Sequence, residues 1–385
     1  MNKEDFPLLK NLDLVYLNSA ATTQKPQTVI DSIKDFYEKY NSNVGRGSDK
    51  LSLKAGKIYD ESREEVAKFI GGKSEEVVFV KSCTEAINLV ANGIDWKKGD
   101  KVVIGIDNHH SNLVPWKMLE SKGVSVEILD VDNDGNLIID EEKIKIARMV
   151  AISHMSNVTG IEHDIKNMSS ICKKHKCMLL VDAAQSIGHI NIDVKEIGCD
   201  FLCFSGHKML APNGVGAIWS NKLDKLKPLI YGGEMISDVS LHEIKLKDNY
   251  EKFEGGTQNV AGAYALVKAI YYLNQIGLDK IKKQINELSD YVRMKLENID
   301  SVKIFFSNNG IVSFNLDGMH AHDVAEYLNS KNIIVRAGHM CCQPLMERFG
   351  LSAGVIRASF YLYNSKEDAD ALVDALRECK EFFGK

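Results

Sequence analysis

A chain of 385 residues with 44% hydrophobic and 26% charged side chains and a net charge of −5 can bury a large core unaided, which excludes a disordered segment and a disulfide-stapled miniprotein. The slightly acidic balance argues against a protein whose main task is coating nucleic acid. No stretch approaches the ~18 apolar residues of a membrane span, and the opening MNKEDFPLLKNLDLVYLN has no apolar leader, so the expectation is a cytoplasmic protein with neither a nucleic-acid nor a membrane partner.

In chain order, Val29, Ile30, Ile33, Phe36, Tyr37 and Tyr40 fall on one face of a helix predicted over 28–40. Short runs rich in β-branched residues then predict strands at 76–80, 102–106, 126–129, 149–153, 178–181, 201–204 and 216–219, separated by amphipathic windows. This alternation predicts an α/β fold with a mostly parallel sheet between helices. A long helical stretch over 261–297 interrupts it. Beyond lie short strands at 302–306, 311–315, 333–335 and 355–360. A last helix from Ser365 turns Ala369, Leu372, Leu376 and Cys379 inward, and these elements read as a smaller α+β domain.

Ligands of open parallel sheets bind beyond the carboxyl ends of the strands, so the polar residues there matter most. Lys81-Ser82-Cys83-Thr84-Glu85 joins a strand to a helix; it is either an anion site at a helix N-terminus or a plain helix cap. Asp182 ends an apolar strand. It is either a buried carboxylate that needs a partner or a helix cap. Lys208 follows the strand FLCF through Ser205-Gly206-His207, where an ammonium can be desolvated and form a Schiff base. His109 and His110 follow another strand, placed to stack on a planar ligand, to shuttle protons, or merely to pack in a turn. His320, His322 and Asp323 could hint at a metal, but an exposed helix start is the simpler reading and no metal is expected.

Arg336-Ala337-Gly338-His339-Met340-Cys341-Cys342-Gln343-Pro344 reads as a loop in which thiols beside Arg and His can act as nucleophiles. Arginine is scarce, eight against 40 lysines, and Arg46, Arg336 and Arg357 all fall in these loaded stretches. A guanidinium fork suits bidentate capture of a carboxylate. The eight cysteines lack metal-finger spacing and read as reduced thiols. Nucleotide-binding glycine fingerprints are absent.

DFLCFSGHK followed by MLAPNGVGAI resembles the lysine signature of the class V aminotransferases, which are pyridoxal 5'-phosphate (PLP) enzymes. With LNSAATTQKP, NHHSNLVPW, SHMSNVTG, VDAAQS, YGGEMI, FEGGTQN, RAGHMCCQP and RASFYLYN, the chain resembles the SufS-like cysteine desulfurases from about Tyr16 to Asn364. The resemblance implies a fold type I PLP-dependent transferase, with a large PLP-binding domain at 15–282 and a small domain from 1–14 and 283–385 carrying the cysteine loop. It implies that Lys208 binds the cofactor covalently and moves the substrate's α-proton. Asp182 would pair with the pyridine nitrogen, Gln185 would bind the phenolic oxygen, and His109 would stack on the ring. Thr84, the backbone at Cys83, Ser205 and His207 would hold the phosphate, with Thr257 reaching over from a second subunit. Arg357 would clamp the substrate carboxylate, with Asn157 alongside and Arg46 as a further candidate. Cys341 would be the nucleophile.

The implied reaction converts L-cysteine to L-alanine and leaves a persulfide on the enzyme, in a homodimer that passes sulfur to an acceptor or an iron–sulfur scaffold protein. A selenocysteine lyase, or another class V lyase or aminotransferase, is the alternative. Four positions depart from the family pattern: Gly45-Arg46-Gly47 replaces His-Arg-Gly, Met340 stands where His is common, Cys342 where a small residue is common, and Gln258 where Pro is frequent. They leave the groups of the core chemistry in place and bear on the acceptor and the pH behaviour.

Overall fold

Apolar runs too short for helices pair into the central sheet of the computed structural model, which describes residues 3–45 and 47–383. A short strand β1 (Val15–Tyr16) precedes the seven strands of this sheet: β2 (Val77–Val80), β3 (Lys101–Gly105), β4 (Ser125–Leu129), β5 (Met149–Ser153), β6 (Met178–Asp182), β7 (Phe201–Ser205) and β8 (Gly216–Ser220). Their order is β2-β8-β7-β6-β5-β3-β4. The pairings from β7 through β4 are parallel, and β8 is antiparallel to both its neighbours. Every residue of β5, β7 and β8 is buried, as expected of strands covered on both faces.

Two strands, β9 (Ile236–Val239) and β10 (Ile244–Leu246), then form an antiparallel hairpin that periodicity did not signal. The C-terminal part contributes β11 (Val302–Asn308), β12 (Ile311–Leu316), β13 (Ile333–Ile334), β14 (Arg336–Gly338) and β15 (Val355–Ser359). Four of these make an antiparallel sheet in the order β11-β12-β15-β14, while β13 pairs with β1. A second core, built on Val292, Phe314, Val324, Leu372 and Leu376, lies between this sheet and its helices. Phe6, Leu9 and Tyr361 to Tyr363 pack instead into the core of the large sheet.

Three expectations are corrected. The stretch predicted as one helix over 261–297 is two, Val260–Ile276 and Leu278–Leu296, because Gly277 adopts φ +89°, a conformation that breaks the ladder. In the helix Gln27–Lys39, Val29 and Phe36 are buried but Ile30 and Tyr37 are 42% and 61% exposed; the apolar stripe is wider than the face that packs. Arg336 to Gly338, read as loop, pairs with β15 as an edge strand.

Candidate active site

The parallel register sets Ser153 and Asp182 side by side at the carboxyl ends of β5 and β6, with Cys203 of β7 next to Asp182. The segments that follow these strands close around a cavity of about 190 Å³. After β7 the chain turns at once through Gly206–Lys208. Only glycine fits the first position, since a Cβ there would lie 2.9 Å from the Val215 carbonyl. The His207 carbonyl accepts from Thr23 N–H at 3.0 Å, Thr22 Oγ1 at 3.2 Å, Thr23 Oγ1 at 3.0 Å and Lys25 Nζ at 3.1 Å. The TTQK segment thereby pins the peptide next to Lys208. Burial lowers the pKa of Lys208, opposed by Asp182 and reinforced by Arg357, which favours the neutral amine.

Asp182 Oδ1 accepts from Cys83 Sγ at 3.1 Å and from the Ala184 N–H at 3.0 Å. Burial pushes its carboxyl pKa up, while Ala184, Cys83 and Lys208 pull the other way. His109 Nδ1 accepts from the Ser111 N–H at 3.1 Å. Burial, then Lys208, holds its pKa down to about 3, so the ring is neutral with its proton on Nε2. At the start of the helix Cys83–Gly93, Ser82 is the N-cap and accepts from Glu85 N–H. The cap reading is thus observed, and it leaves the same turn available to an anion. Cys83 N donates to Ser205 Oγ at 2.7 Å and Thr84 Oγ1 meets Ser111 Oγ at 2.8 Å, which gathers hydroxyls at a helix N-terminus suited to an anion. His207 lines the same cavity. Burial, then Lys208 and Lys25, brings its pKa down to about 4.

Arg357, in the middle of β15, is fully buried. Its Nη1 donates to the Asn157 carbonyl at 2.7 Å, while Nε and Nη2 have no acceptor among the described residues. Burial, and then Arg336, lowers its pKa to about 9. A buried guanidinium with two idle donors is unfavourable unless an anionic ligand completes it.

Cys341 stands beside the cavity on the turn after β14. Met340 and Cys341 both adopt left-handed backbone, φ 54° and 55°, at about 1–2 kcal/mol each for non-glycine residues. Surrounding bonds hold this strain: His110 N donates to the Cys341 carbonyl at 2.7 Å, Asn157 Nδ2 to the Met340 carbonyl at 2.8 Å, and Gln343 N to His110 Nε2 at 3.3 Å. Arg336 Nη2 lies 3.3 Å from Cys341 Sγ. Cys341 is half-buried, whereas Cys342 is fully buried, its thiol pKa pushed well up by burial.

The family model described as aminotransferase class V matches residues 15–372. The chain belongs to this family. Among curated members of known sequence, a probable cysteine desulfurase of Halalkalibacterium halodurans is 43% identical, covering 99% of this chain and 98% of its own. Another, of Pyrococcus abyssi, is 40% identical over 98% and 96%. The apo cysteine desulfurase of Thermococcus onnurineus NA1 superposes with a TM-score of 0.94 at 39% identity, over 98% of this chain and 96% of that one. The cysteine desulfurase CsdA of Escherichia coli, in an S-sulfonic acid form, gives 0.91 at 30% identity over 99% and 98%. As a class V aminotransferase the protein is a PLP-dependent enzyme of fold type I.

The residues present fit that cofactor: a partly desolvated lysine, a strand-end carboxylate, a neutral imidazole and a hydroxyl-lined helix N-terminus converge on one cavity. Of the residues expected from sequence, Lys208, Asp182, Gln185, His109, Cys83, Thr84, Ser205, His207, Asn157 and Arg357 all line it. Gln185 also donates to the Ala20 carbonyl at 2.9 Å. Thr257 is exposed and outside the cavity, and Arg46 lies outside the described residues. Sequence reasoning missed Ser111, Thr22, Thr23 and Lys25; their signal was position, just after a strand end or inside the TTQK run. His320 caps the helix Ala321–Ser330 by accepting from His322 N–H, the helix-start reading. A larger cleft, about 580 Å³, is lined by Tyr59, Arg63, Glu251 and Glu254. It shares no lining residue with the Lys208 cavity and gathers no thiol or imidazole among the described residues.

Proposed function

We propose that the protein is a cysteine desulfurase, taking L-cysteine to L-alanine and leaving the sulfur as a persulfide on Cys341. The observation that carries this reading is the unsatisfied Nε and Nη2 of buried Arg357, in a cavity shared with Lys208 and tied through Asn157 to the Cys341 turn. Lys208, Asp182, Gln185 and His109 would hold the cofactor's ring, and Thr84, Ser205 and His207, with the backbone of the turn at Cys83, its phosphate. When bound, PLP supplies an electron sink for the substrate's α-carbon. Arg357 orients the substrate carboxylate through its two idle donors. Lys208, favoured as a neutral amine, accepts and returns the α-proton. Arg336 Nη2 stands beside Cys341 Sγ, the sulfur that attacks the substrate sulfur. The exchange balances: an S–S bond forms on Cys341, the substrate's C–S bond breaks, and the hydrogen lost from the Cys341 thiol ends on the methyl group of alanine.

The same reading extends to a homodimer in which Thr257 completes the partner's phosphate site, and to a cytoplasmic enzyme that hands sulfur to an acceptor or an iron–sulfur scaffold protein. The eight free cysteines suit a reducing compartment. Residues 15–282 would be the large domain, with 1–14 and 283–385 the small one. Purified protein given L-cysteine and a thiol reductant should form alanine and sulfide in equal amounts. Alanine formation that persists in Cys341→Ala would reject the persulfide route.

A further inference from the structure

Cys83 is a second thiol inside the cavity, and its surroundings differ from those of Cys341. It begins the helix Cys83–Gly93, and its N–H is taken by Ser205 Oγ. Its Sγ lies 3.1 Å from Asp182 Oδ1, the oxygen that also accepts the Ala184 N–H. Both donors converge on one carboxylate oxygen, so neither claims Oδ2. Two such bonds fix the carboxylate plane against rotation, and both favour its ionised form. Burial and the adjacent Asp182 push the Cys83 thiol pKa well up, so the sulfur keeps its proton and remains a donor. A protonated thiol is also a poor nucleophile.

We propose that Cys83 is a positioning residue: its S–H holds Asp182 by Oδ1, leaving Oδ2 for the ring nitrogen of the bound cofactor, and the same bond keeps this thiol out of sulfur transfer. The proposal rests on the reading in which Asp182 pairs with PLP. Besides Cys83, the ionisable groups acting on Asp182 or sharing its cavity are Lys208 and Cys203 from the β7 segment, His109 and His207 from the strand-end turns, and Arg336 and Arg357 from the small sheet.

The test is a PLP titration of the full-length protein, stripped of cofactor, across pH 5–9 (an interval of about two units either side of neutrality), for wild type, Cys83→Ala and Cys83→Ser. Removing the donor raises the Asp182 pKa, so affinity should begin to fall at a higher pH on the acid side. Loss of one hydrogen bond to a charged acceptor predicts about tenfold weaker binding in Cys83→Ala near pH 8. The hydroxyl of Cys83→Ser should restore affinity to within about threefold and return the acid limb toward its original place. Equal losses in both variants with an unmoved acid limb would mean that Cys83 only packs, and would overturn the assignment, as would no loss in Cys83→Ala. A persulfide on Cys83 after one turnover would overturn its exclusion from sulfur transfer. Failure of the desulfurase reading would show as absent alanine formation, and the cofactor titration would still read the Cys83–Asp182 bond.

Discussion

Asn157 donates its side-chain amide to the Met340 carbonyl at 2.8 Å, which joins the wall of the cavity to the strained turn that presents Cys341. Its own backbone carbonyl accepts from Arg357. One residue thus holds the turn of Cys341, the proposed nucleophile, on one side and the buried Arg357 guanidinium on the other.

Asn157→Ala removes the donor to a buried turn carbonyl, worth about 1–3 kcal/mol. The expected result is a loss in kcat larger than any rise in KM, with the visible spectrum of the bound cofactor unchanged. Steady-state kinetics with L-cysteine decides it; an effect confined to KM would place Asn157 on the substrate instead.

Arg357→Lys should raise KM for L-cysteine by about ten- to a hundredfold, the equivalent of about 1.5–3 kcal/mol for a charge-assisted bond. An ammonium cannot reproduce the paired Nε and Nη2 donors that stand idle in the cavity. Unchanged kinetics would mean that the carboxylate is held elsewhere, with Arg46 the next candidate.

Stability should fall with acid from about pH 6.5 downward. Burial holds His109 at about 3 and His154, His189 and His207 at about 4, against 6.5 for an ordinary imidazole. Over that interval the unfolded chain binds protons that the folded one refuses, so the free energy of unfolding drops as pH falls. His163, whose Nε2 is 2.7 Å from Asp107 Oδ2, works in the opposite sense. Although burial alone would lower its pKa, Asp107 raises it overall; its contribution is full below pH 6.5 and is lost as pH rises through the folded value. Thermal melts from pH 4 to 8 (a span set by the ordinary imidazole at about 6.5) should show a declining Tm on the acid side. His154→Asn should make the decline shallower. A flat profile would contradict the neutral assignments.

Arg63→Met should destabilise the fold by about 3–5 kcal/mol, the range for stranding one member of a buried pair. Glu254 accepts two bonds from Arg63, at 2.7 and 2.8 Å, one from Tyr59 and one from the Phe79 N–H, and it precedes Thr257 by three residues. Urea melts measure the loss. If Thr257 serves the partner subunit, the same variant also releases PLP more readily.

Much of this site was legible because its chemistry is local in the chain. Asp182 and Lys208 each follow an apolar strand, and parallel-strand topology carries such residues to one edge. The three strands β5, β6 and β7 fell within a residue or so of their predicted ends. What could not be read depends on contacts distant in sequence. The edge pairing of Arg336 to Gly338 is set by β15, and the thiol–carboxylate bond joins residues 99 positions apart. Whether Arg357 would have idle donors depended on how two sheets meet. Gly277 lies within the stretch predicted as one helix, and its positive φ divides that stretch in two.

The central claim is that sulfur lands on Cys341, and peptide mass mapping after a single turnover with L-cysteine tests it most directly. The half-buried Cys341, with Arg336 beside its Sγ, should carry one added sulfur atom, while buried Cys342 should carry none. Cys341→Ala should abolish the mass shift and leave the cofactor spectrum intact, since the proposed cofactor attachment is Lys208 and not the thiol. A persulfide found on Cys342, and surviving in Cys341→Ala, would contradict the account.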